Sequence, residues 1–462
     1  MPTCYGSSTV PGLGGPARNP DTLAMRLLSV NHVEFRLKSG WRSGLLLSLL
    51  ALATLAGGAE AIKTAVITAL GESPSVSEVR RGLALDSDNA ELHYRLSQLY
   101  ADSLAMSNLA AGVAEARRAT ALNPNKFDYW LSLASACESV RDEVCADQSL
   151  QRALALCPMT PRVWWTAGNS YLRANQREVA FSCLRRLLQL SPDYVAAALG
   201  LTYRAYGDPK TIFEKLVGGG SDARLALAYA DFMSANNEFD AAHNAWSQVA
   251  SRGMGLTFAA VRPYLENLMS HGRFQEAQAV WLDLEGRGTI VKPADREQGN
   301  LVFNGGFDQP PLSAGFDWRS QTSPYVSVDF ADRSAHQGAH CLRVDFPLSG
   351  NVELEPVYQI VPVAPGQAYT LAAYVRTSDI TSECGPQLRV VDPNCSACPS
   401  ASTEPTSGTT DWHPVKVSFT AGEQTQVVRL SVWRARCRTF PMEISGIFWL
   451  DEVSLRAVVG TQ

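Results

Sequence analysis

Three hydropathy textures follow one another along the chain. From Ser43 to Ala59 no residue is charged, and Leu45–Leu55 is densely apolar. From about residue 75 to 288, apolar residues recur three, four and seven positions apart, which is the spacing of one helix face. From 300 to 457 they alternate with polar residues in short runs between Gly, Pro, Asp and Asn. Examples are Leu342-Arg343-Val344-Asp345-Phe346 and Val427 to Trp433. Period two over short runs is the signature of strands with one buried face. The pattern predicts a basic-leaning, disordered tail over 1–43 and an apolar signal or anchor helix over 44–70. It then predicts a helical array over 75–288, a linker over 289–299 marked by Lys292-Pro293 and Gly299, and an all-β sandwich over 300–457.

The apolar segment is long enough for a signal-peptide core and close to the length of a short spanning helix. Ala59-Glu60-Ala61 matches a small-x-small cleavage site, so a cleaved signal and a signal anchor both remain open. A buried core helix is the plain alternative. Arg18, Arg26, Arg36, Lys38 and Arg42 precede the segment against Asp21 and Glu34, which favours export with the bulk of the chain outside the cytoplasm. The expected location is the inner membrane facing the periplasm, or the periplasm or exterior after cleavage. A start at Met25 gives the leader a conventional length.

The helical region carries an internal period. Trp130 and Trp164 are 34 residues apart, as are Pro158 and Pro192. One copy reads Trp130, Leu133, Ala134, Ala146, Leu150, Ala153, Pro158. The next reads Trp164, Ala167, Gly168, Tyr171, Ala180, Leu184, Leu187, Pro192. Small residues at Ala146 and Ala180 allow two helices to approach, and the prolines end the second helix. This order resembles the tetratricopeptide repeat. Weaker copies flank it, from His93 to Pro124, from Leu225 to Ala245 and from Val261 to Trp281, with a half-repeat and Gly218-Gly219-Gly220 between. The resemblance implies five to six stacked helix pairs whose groove holds a protein partner. Arg95, Arg117, Arg118, Arg173, Arg177, Arg185 and Arg186 are either acid-binding groups on that groove or solvated helix faces. Cys137 and Cys183 read as small core residues.

The β region opens with Asn300-Leu301-Val302-Phe303-Asn304-Gly305-Gly306-Phe307-Asp308. It continues through Pro365-Gly366-Gln367-Ala368-Tyr369 and closes on Phe448-Trp449-Leu450-Asp451-Glu452-Val453-Ser454-Leu455. These positions resemble a carbohydrate-binding module of the galactose-binding-like jelly-roll type, over nearly the whole region. Alternation places Arg343, Tyr374, Arg376, Arg389, Arg429 and Trp433 away from the core. They are expected on one concave sheet, either as a sugar face or as ordinary surface groups. Several arginines together favour an acidic glycan or a carboxylate-bearing partner. The resemblance also implies a structural Ca²⁺ held by Asn304, Asp308 and Asp451. Cys395-Ser-Ala-Cys398 has no second pair nearby, so one or two disulfides pinning the insertion at 379–410 are expected, with the pairing open among Cys384, Cys395, Cys398 and Cys437.

Composition narrows the function. The 462 residues carry 40 Lys+Arg against 45 Asp+Glu, a net charge of -5, which leaves no basic surplus for a dedicated nucleic-acid binder. No Gly-x-Ser-x-Gly, phosphate loop, His-Glu-x-x-His or dinucleotide fingerprint occurs, and no enzyme is expected. No cofactor beyond Ca²⁺ is called for. The reading is an exported, non-catalytic adaptor of an envelope or exopolysaccharide assembly. Its alternatives are a scaffold whose sandwich binds no sugar, and an accessory subunit of a separate glycan-active enzyme.

Overall fold

The computed structural model describes residues 40–102, 106–252, 255–292, 296, 298–395, 398 and 400–458. The tail expected before residue 40, with Met25, lies outside them. The chain forms two compact units, Met1–Tyr194 and Val195–Gln462.

The first unit begins with α1 (Gly40–Gly71). It is the one helix among the described residues long and apolar enough to cross a membrane, so it meets the requirement for a signal or an anchor. Leu45, Leu47, Leu49, Leu50, Leu52 and Leu55 are all exposed. Its last turns behave differently, for Ile67 is buried with Val79, Leu92, Leu96 and Tyr100. Gly71 lies so close to Leu92 that a Cβ there would be 2.9 Å from Cδ2. There α1 packs on α2 (Val76–Leu85) and α3 (Ala90–Ala101).

Antiparallel hairpins follow: α3 with α4 (Met106–Leu122), α5 (Phe127–Ser139) with α6 (Glu143–Leu156), and α7 (Pro161–Arg173) with α8 (Arg177–Leu190). The period seen in the sequence recurs in atoms. Trp130 Nε1 donates to Pro124 O and Trp164 Nε1 to Pro158 O, each at 2.8 Å. Ala146 and Ala180 are buried where their helices cross. The turns inside the α5–α6 and α7–α8 hairpins are left-handed helix caps. Arg141 (φ 61°) lets Asp142 N reach Cys137 O, and Asn175 (φ 57°) lets Gln176 N reach Tyr171 O. The second unit repeats the device at Asn237 and Gly272, with Glu238 N on Met233 O and Arg273 N on Leu268 O.

Cys137 departs from the sequence reading. It is buried, but it is also bonded to Cys145 across this turn, with Cα atoms 5.8 Å apart. The cap brings the last turn of α5 beside the first turn of α6, which the linear spacing does not reveal. Cys183 is a free, buried core residue.

The second unit starts with α9 (Val195–Tyr206) and α10 (Pro209–Ile212), then a π turn and three left-handed glycines at 218–220. Two hairpins follow, α11 (Ala223–Ala235) with α12 (Phe239–Ser251) and α13 (Phe258–Ser270) with α14 (Phe274–Gly286).

The rest is a sandwich of two five-stranded antiparallel sheets. Sheet I has the order β1-β4-β9-β6-β7: β1 (Arg319–Ser320), β4 (Leu354–Pro362), β9 (Val427–Arg434), β6 (Gln387–Val391) and β7 (Ala401–Ser402). Sheet II has the order β2-β3-β10-β5-β8: β2 (Ser327–Asp332), β3 (Cys341–Ser349), β10 (Ile444–Ala457), β5 (Ala368–Ile380) and β8 (Gly408–Thr420). Their inner faces bury one continuous core that includes Leu342, Val344, Phe346, Leu371, Ala373, Val375, Val428, Leu430 and Val432. Alternation therefore assigns inward and outward residues correctly on these strands. The opening segment is stitched to β10, with Leu301 N on Leu455 O and Asn300 Nδ2 on Val453 O.

Within this unit the sandwich packs directly on the last hairpin. Trp281 of α14 lies edge-on to Phe303 and Phe316 at 5.0 and 5.8 Å. Gly315 adopts φ +58° against the indole, and a Cβ there would lie 2.3 Å from Cζ3. Only glycine satisfies both demands. Glu266 of α13 accepts two bonds from the Arg319 guanidinium, at 2.8 and 2.9 Å, and one from Gly315 N at 2.7 Å. Such a bidentate clamp fixes direction as well as distance.

Candidate functional site

The outer face of sheet I is built from the residues that alternation leaves outside the core. On β9 these are Arg429, Ser431 and Trp433; on β6, Gln387 and Arg389; on β4, Tyr358. Strand register sets them side by side: Ser431 lies opposite both Tyr358 and Arg389, and Trp433 lies opposite Gln387. The Arg429 guanidinium lies 3.9 Å from the centre of the Tyr358 ring, and that of Arg389 lies 4.4 Å from the Trp433 ring. Trp433 Nε1 donates to Glu353 at 2.9 Å. Glu355 sits 3.4 Å from Arg429 and Glu353 3.8 Å from Arg389.

Two cations are thus balanced by two acids, yet neither arginine forms a hydrogen bond to its acid among the described residues. Stacking orients each guanidinium while leaving donors unspent. Arg429 Nε, the atom that faces Glu355, and the Ser431 hydroxyl are buried without a hydrogen-bond partner among the described residues. Those two atoms are themselves sealed from solvent, so the capacity for a further group lies with the part-exposed Arg389 and Arg429 side chains, 29% and 28% accessible.

Sheet II presents a different surface. Arg343 donates from Nε and Nη2 to Asp345 Oδ1 at 3.0 and 2.7 Å, and from Nη1 to Asp332 at 3.4 Å. Arg343 and Arg376 lie 5.8 and 4.9 Å from the centre of the Trp449 ring. Tyr374 is covered by the His336 imidazole at 3.9 Å and 15°. His336 bonds Glu452 through Nδ1 at 2.5 Å, and Trp412 stands 5.7 Å away.

The expectation that six residues share one sheet is therefore corrected. Arg389, Arg429 and Trp433 belong to sheet I, whereas Arg343, Tyr374 and Arg376 belong to sheet II. Alternation separates inside from outside, but it does not say which sheet a strand joins. Here β3 and β5 pair with β10, while β6 pairs with β9. Sequence reasoning also passed over Tyr358, Glu353 and Glu355. No sequence signal picks out Tyr358, because the buried Gln359 inverts the apolar alternation on β4.

Asn304, Asp308 and Asp451 line one cavity of about 770 Å³ together with Gln337, Gly338 and Glu452. Asp308 Oδ1 accepts Ala339 N at 2.8 Å. Asp451 Oδ2 accepts His336 N and Gln337 N at 2.9 and 3.0 Å. Burial holds the Asp451 carboxyl above its usual range. Asp451 Oδ1 also accepts Glu452 N at 2.7 Å, so backbone donors engage both of its oxygens, and a hard cation there would have to share them. Asn304 fits less well, because both ends of its amide are engaged by the backbone of Gln309. The insertion is tied by Cys384–Cys437 and Cys395–Cys398.

In the first unit, a groove of about 430 Å³ between α3, α5 and α7 is lined by Tyr94, Arg95, Gln98, Asp128, Ser132 and Arg162, among others. Of the arginines singled out in the sequence, Arg95 lines this groove. Arg117, Arg118 and Arg173 pair with Asp142, Asp88 and Glu138 at 3.4, 2.6 and 2.7 Å. Surface pairs of this kind contribute about 0–1 kcal/mol.

The fold is thus that of a tetratricopeptide-like helical array and a carbohydrate-binding-module-like sandwich. No family model matches the chain, and no curated protein does. Among solved structures, it is similar to TmCBM61 in complex with β-1,4-galactotriose (18% identity, 34% of this chain, 99% of that one, TM-score 0.24). It is similar to the MamA protein (16% identity, 42% of this chain, 98% of that one, TM-score 0.28). It is also similar to the enzymatically active domain of bacteriophage CBA120 tailspike protein 4 (10% identity, 34% of this chain, TM-score 0.26), of whose length it spans only 21%.

Proposed function

We propose that the protein is a non-catalytic scaffold whose helical groove holds a protein partner and whose sheet I face binds a neutral polysaccharide. The carrying observation is the pair of stacked arginines with unspent donors, each beside an acid. Aromatic rings offer faces to sugar C–H groups, while guanidinium forks and carboxylates exchange bonds with vicinal hydroxyls. The balance of Arg389 and Arg429 by Glu353 and Glu355 argues for a neutral ligand rather than the acidic glycan expected from the arginines alone.

In this reading α1 is retained as a membrane anchor. Ala59-Glu60-Ala61 lies inside an unbroken helix whose last turns enter the core of the first unit. Service in envelope or exopolysaccharide assembly belongs to the same proposal. So does Ca²⁺ held by Asp308 and Asp451: added Ca²⁺ raises the melting temperature and a chelator lowers it, an effect that Asp308→Asn removes. A melting temperature indifferent to both contradicts the ion.

The test of glycan binding is affinity electrophoresis of the full chain in detergent micelles through gels holding soluble β-1,4-glucan, xylan or galactan. Retardation by at least one neutral polysaccharide is expected. Free migration through all three, at concentrations that retard a known binder, sinks the glycan half and leaves a scaffold.

A further inference from the structure

Phe440 is the most exposed large hydrophobic residue among the described ones, 90% exposed, and Met442 beside it is 43% exposed. Both lie in the loop between β9 and β10. An exposed aromatic in a loose loop carries little meaning, but this loop is held from three directions. Cys437 is bonded to Cys384 in the loop before β6. Asn351, in the loop before β4, accepts from Cys437 N at 2.8 Å and donates to Cys437 O at 2.9 Å. Arg434, 1% exposed, donates to Val352 O at 2.6 Å and to Met442 O at 2.5 Å. Burial holds its guanidinium below its ordinary range. A buried cation met by carbonyls is an expensive way to fix a loop, and packing makes no use of Phe440 itself.

Register places this loop. Trp433 is the last outward residue of β9, opposite Gln387 at the start of β6, while Arg434 lies opposite Leu354 at the start of β4. The three loops clasped together therefore stand at the Trp433 end of the sheet I face. Glu353, the acid that receives the Trp433 indole, lies one residue beyond Val352, whose carbonyl Arg434 holds.

We infer that Phe440 is a stacking platform that extends the sheet I face by a further subsite, engaging a pyranose ring of a neutral polysaccharide beyond the units held at Trp433 and Tyr358. The inference rests on the glycan reading above. A ring carried on a clasped loop requires little backbone ordering on binding, which makes it effective as a platform. Its contribution appears only with ligands long enough to span from the sheet to the loop.

The test compares full-length wild type, Phe440→Ala and Trp433→Ala in detergent micelles. The probes are the tri- and hexasaccharides of whichever of β-1,4-glucan, xylan or galactan retards the wild type. Phe440→Ala is expected to weaken the hexasaccharide about three- to tenfold and leave the trisaccharide unchanged. Trp433→Ala weakens both. Because Phe440 is outside the core, its melting temperature stays at the wild-type value. Equal hexasaccharide affinity for Phe440→Ala and wild type overturns the subsite while the glycan reading stands. So does a change confined to self-association in sedimentation, which makes Phe440 a protein contact. Failure of every probe to bind the wild type overturns both readings.

Discussion

The two outer faces of the sandwich use the same residue types to opposite ends. On sheet II, Arg343 spends its donors on Asp345 and Asp332, and Tyr374 is covered by His336. On sheet I, Arg389 and Arg429 are stacked and neutralised, yet no hydrogen bond to their acids consumes their donors. Both faces are rich in Arg, Trp and Tyr, so composition does not tell them apart. What distinguishes them is how the charged and aromatic groups are held. On sheet II Arg343 is bonded to two acids and Tyr374 is covered by His336, although Trp449 Nε1 has no hydrogen-bond partner among the described residues there either. On sheet I both arginines lie on aromatic rings with their side chains part exposed, 29% for Arg389 and 28% for Arg429, which leaves them open to a ligand.

The largest expected effect is on sheet I. Trp433→Ala removes the indole and the stack on Arg389, and is expected to weaken polysaccharide binding at least about thirtyfold, as for a hot-spot aromatic. Titration against wild type measures it. Next comes Arg429, where Lys lacks the planar fork, so Arg429→Lys and Arg429→Ala should each lose about tenfold in the same titration. Recovery of affinity by Lys would mean that charge alone matters there.

A third effect concerns the core beneath both faces. Asp317 is buried, and burial raises its carboxyl to about 7, against the lowering influence of Leu312 N, Trp318 N and Arg319. The folded state therefore holds this proton more tightly than the unfolded chain. Its stability falls as pH rises from about 4 to 7 and levels off above. Thermal melts across that range should show the wild type losing stability relative to Asp317→Asn, with no further change at higher pH. A constant difference between the two proteins would contradict the assignment. The smallest effect lies on sheet II. Arg343→Ala is expected to cost about 1 kcal/mol of stability, read from denaturant melts, and to leave polysaccharide affinity unchanged.

Much of this was legible in the chain. The 34-residue spacing of Trp130 and Trp164 becomes two identical indole–carbonyl bonds, and period two identifies Leu342, Leu371 and Leu430 as core. Residues that depend on long-range pairing were not legible. Whether Arg343 and Arg429 share a face depends on which strands β10 and β9 choose, and local alternation is blind to that choice. The Cys137–Cys145 bond depends on a left-handed turn at Arg141, where no glycine or asparagine gave warning. Nothing in the sequence singles out Phe440, because its place depends on the buried Arg434 and the Cys384–Cys437 bond, which hold that loop at the end of a sheet.

The central claim is that ligand binding belongs to the sheet I face. It is tested most directly by titrating the full-length protein with one retarding neutral polysaccharide, in parallel for Trp433→Ala and Tyr374→Ala. The account predicts that Trp433→Ala loses binding and Tyr374→Ala retains wild-type affinity. Loss of binding in Tyr374→Ala with full retention in Trp433→Ala would contradict it and move the site to sheet II.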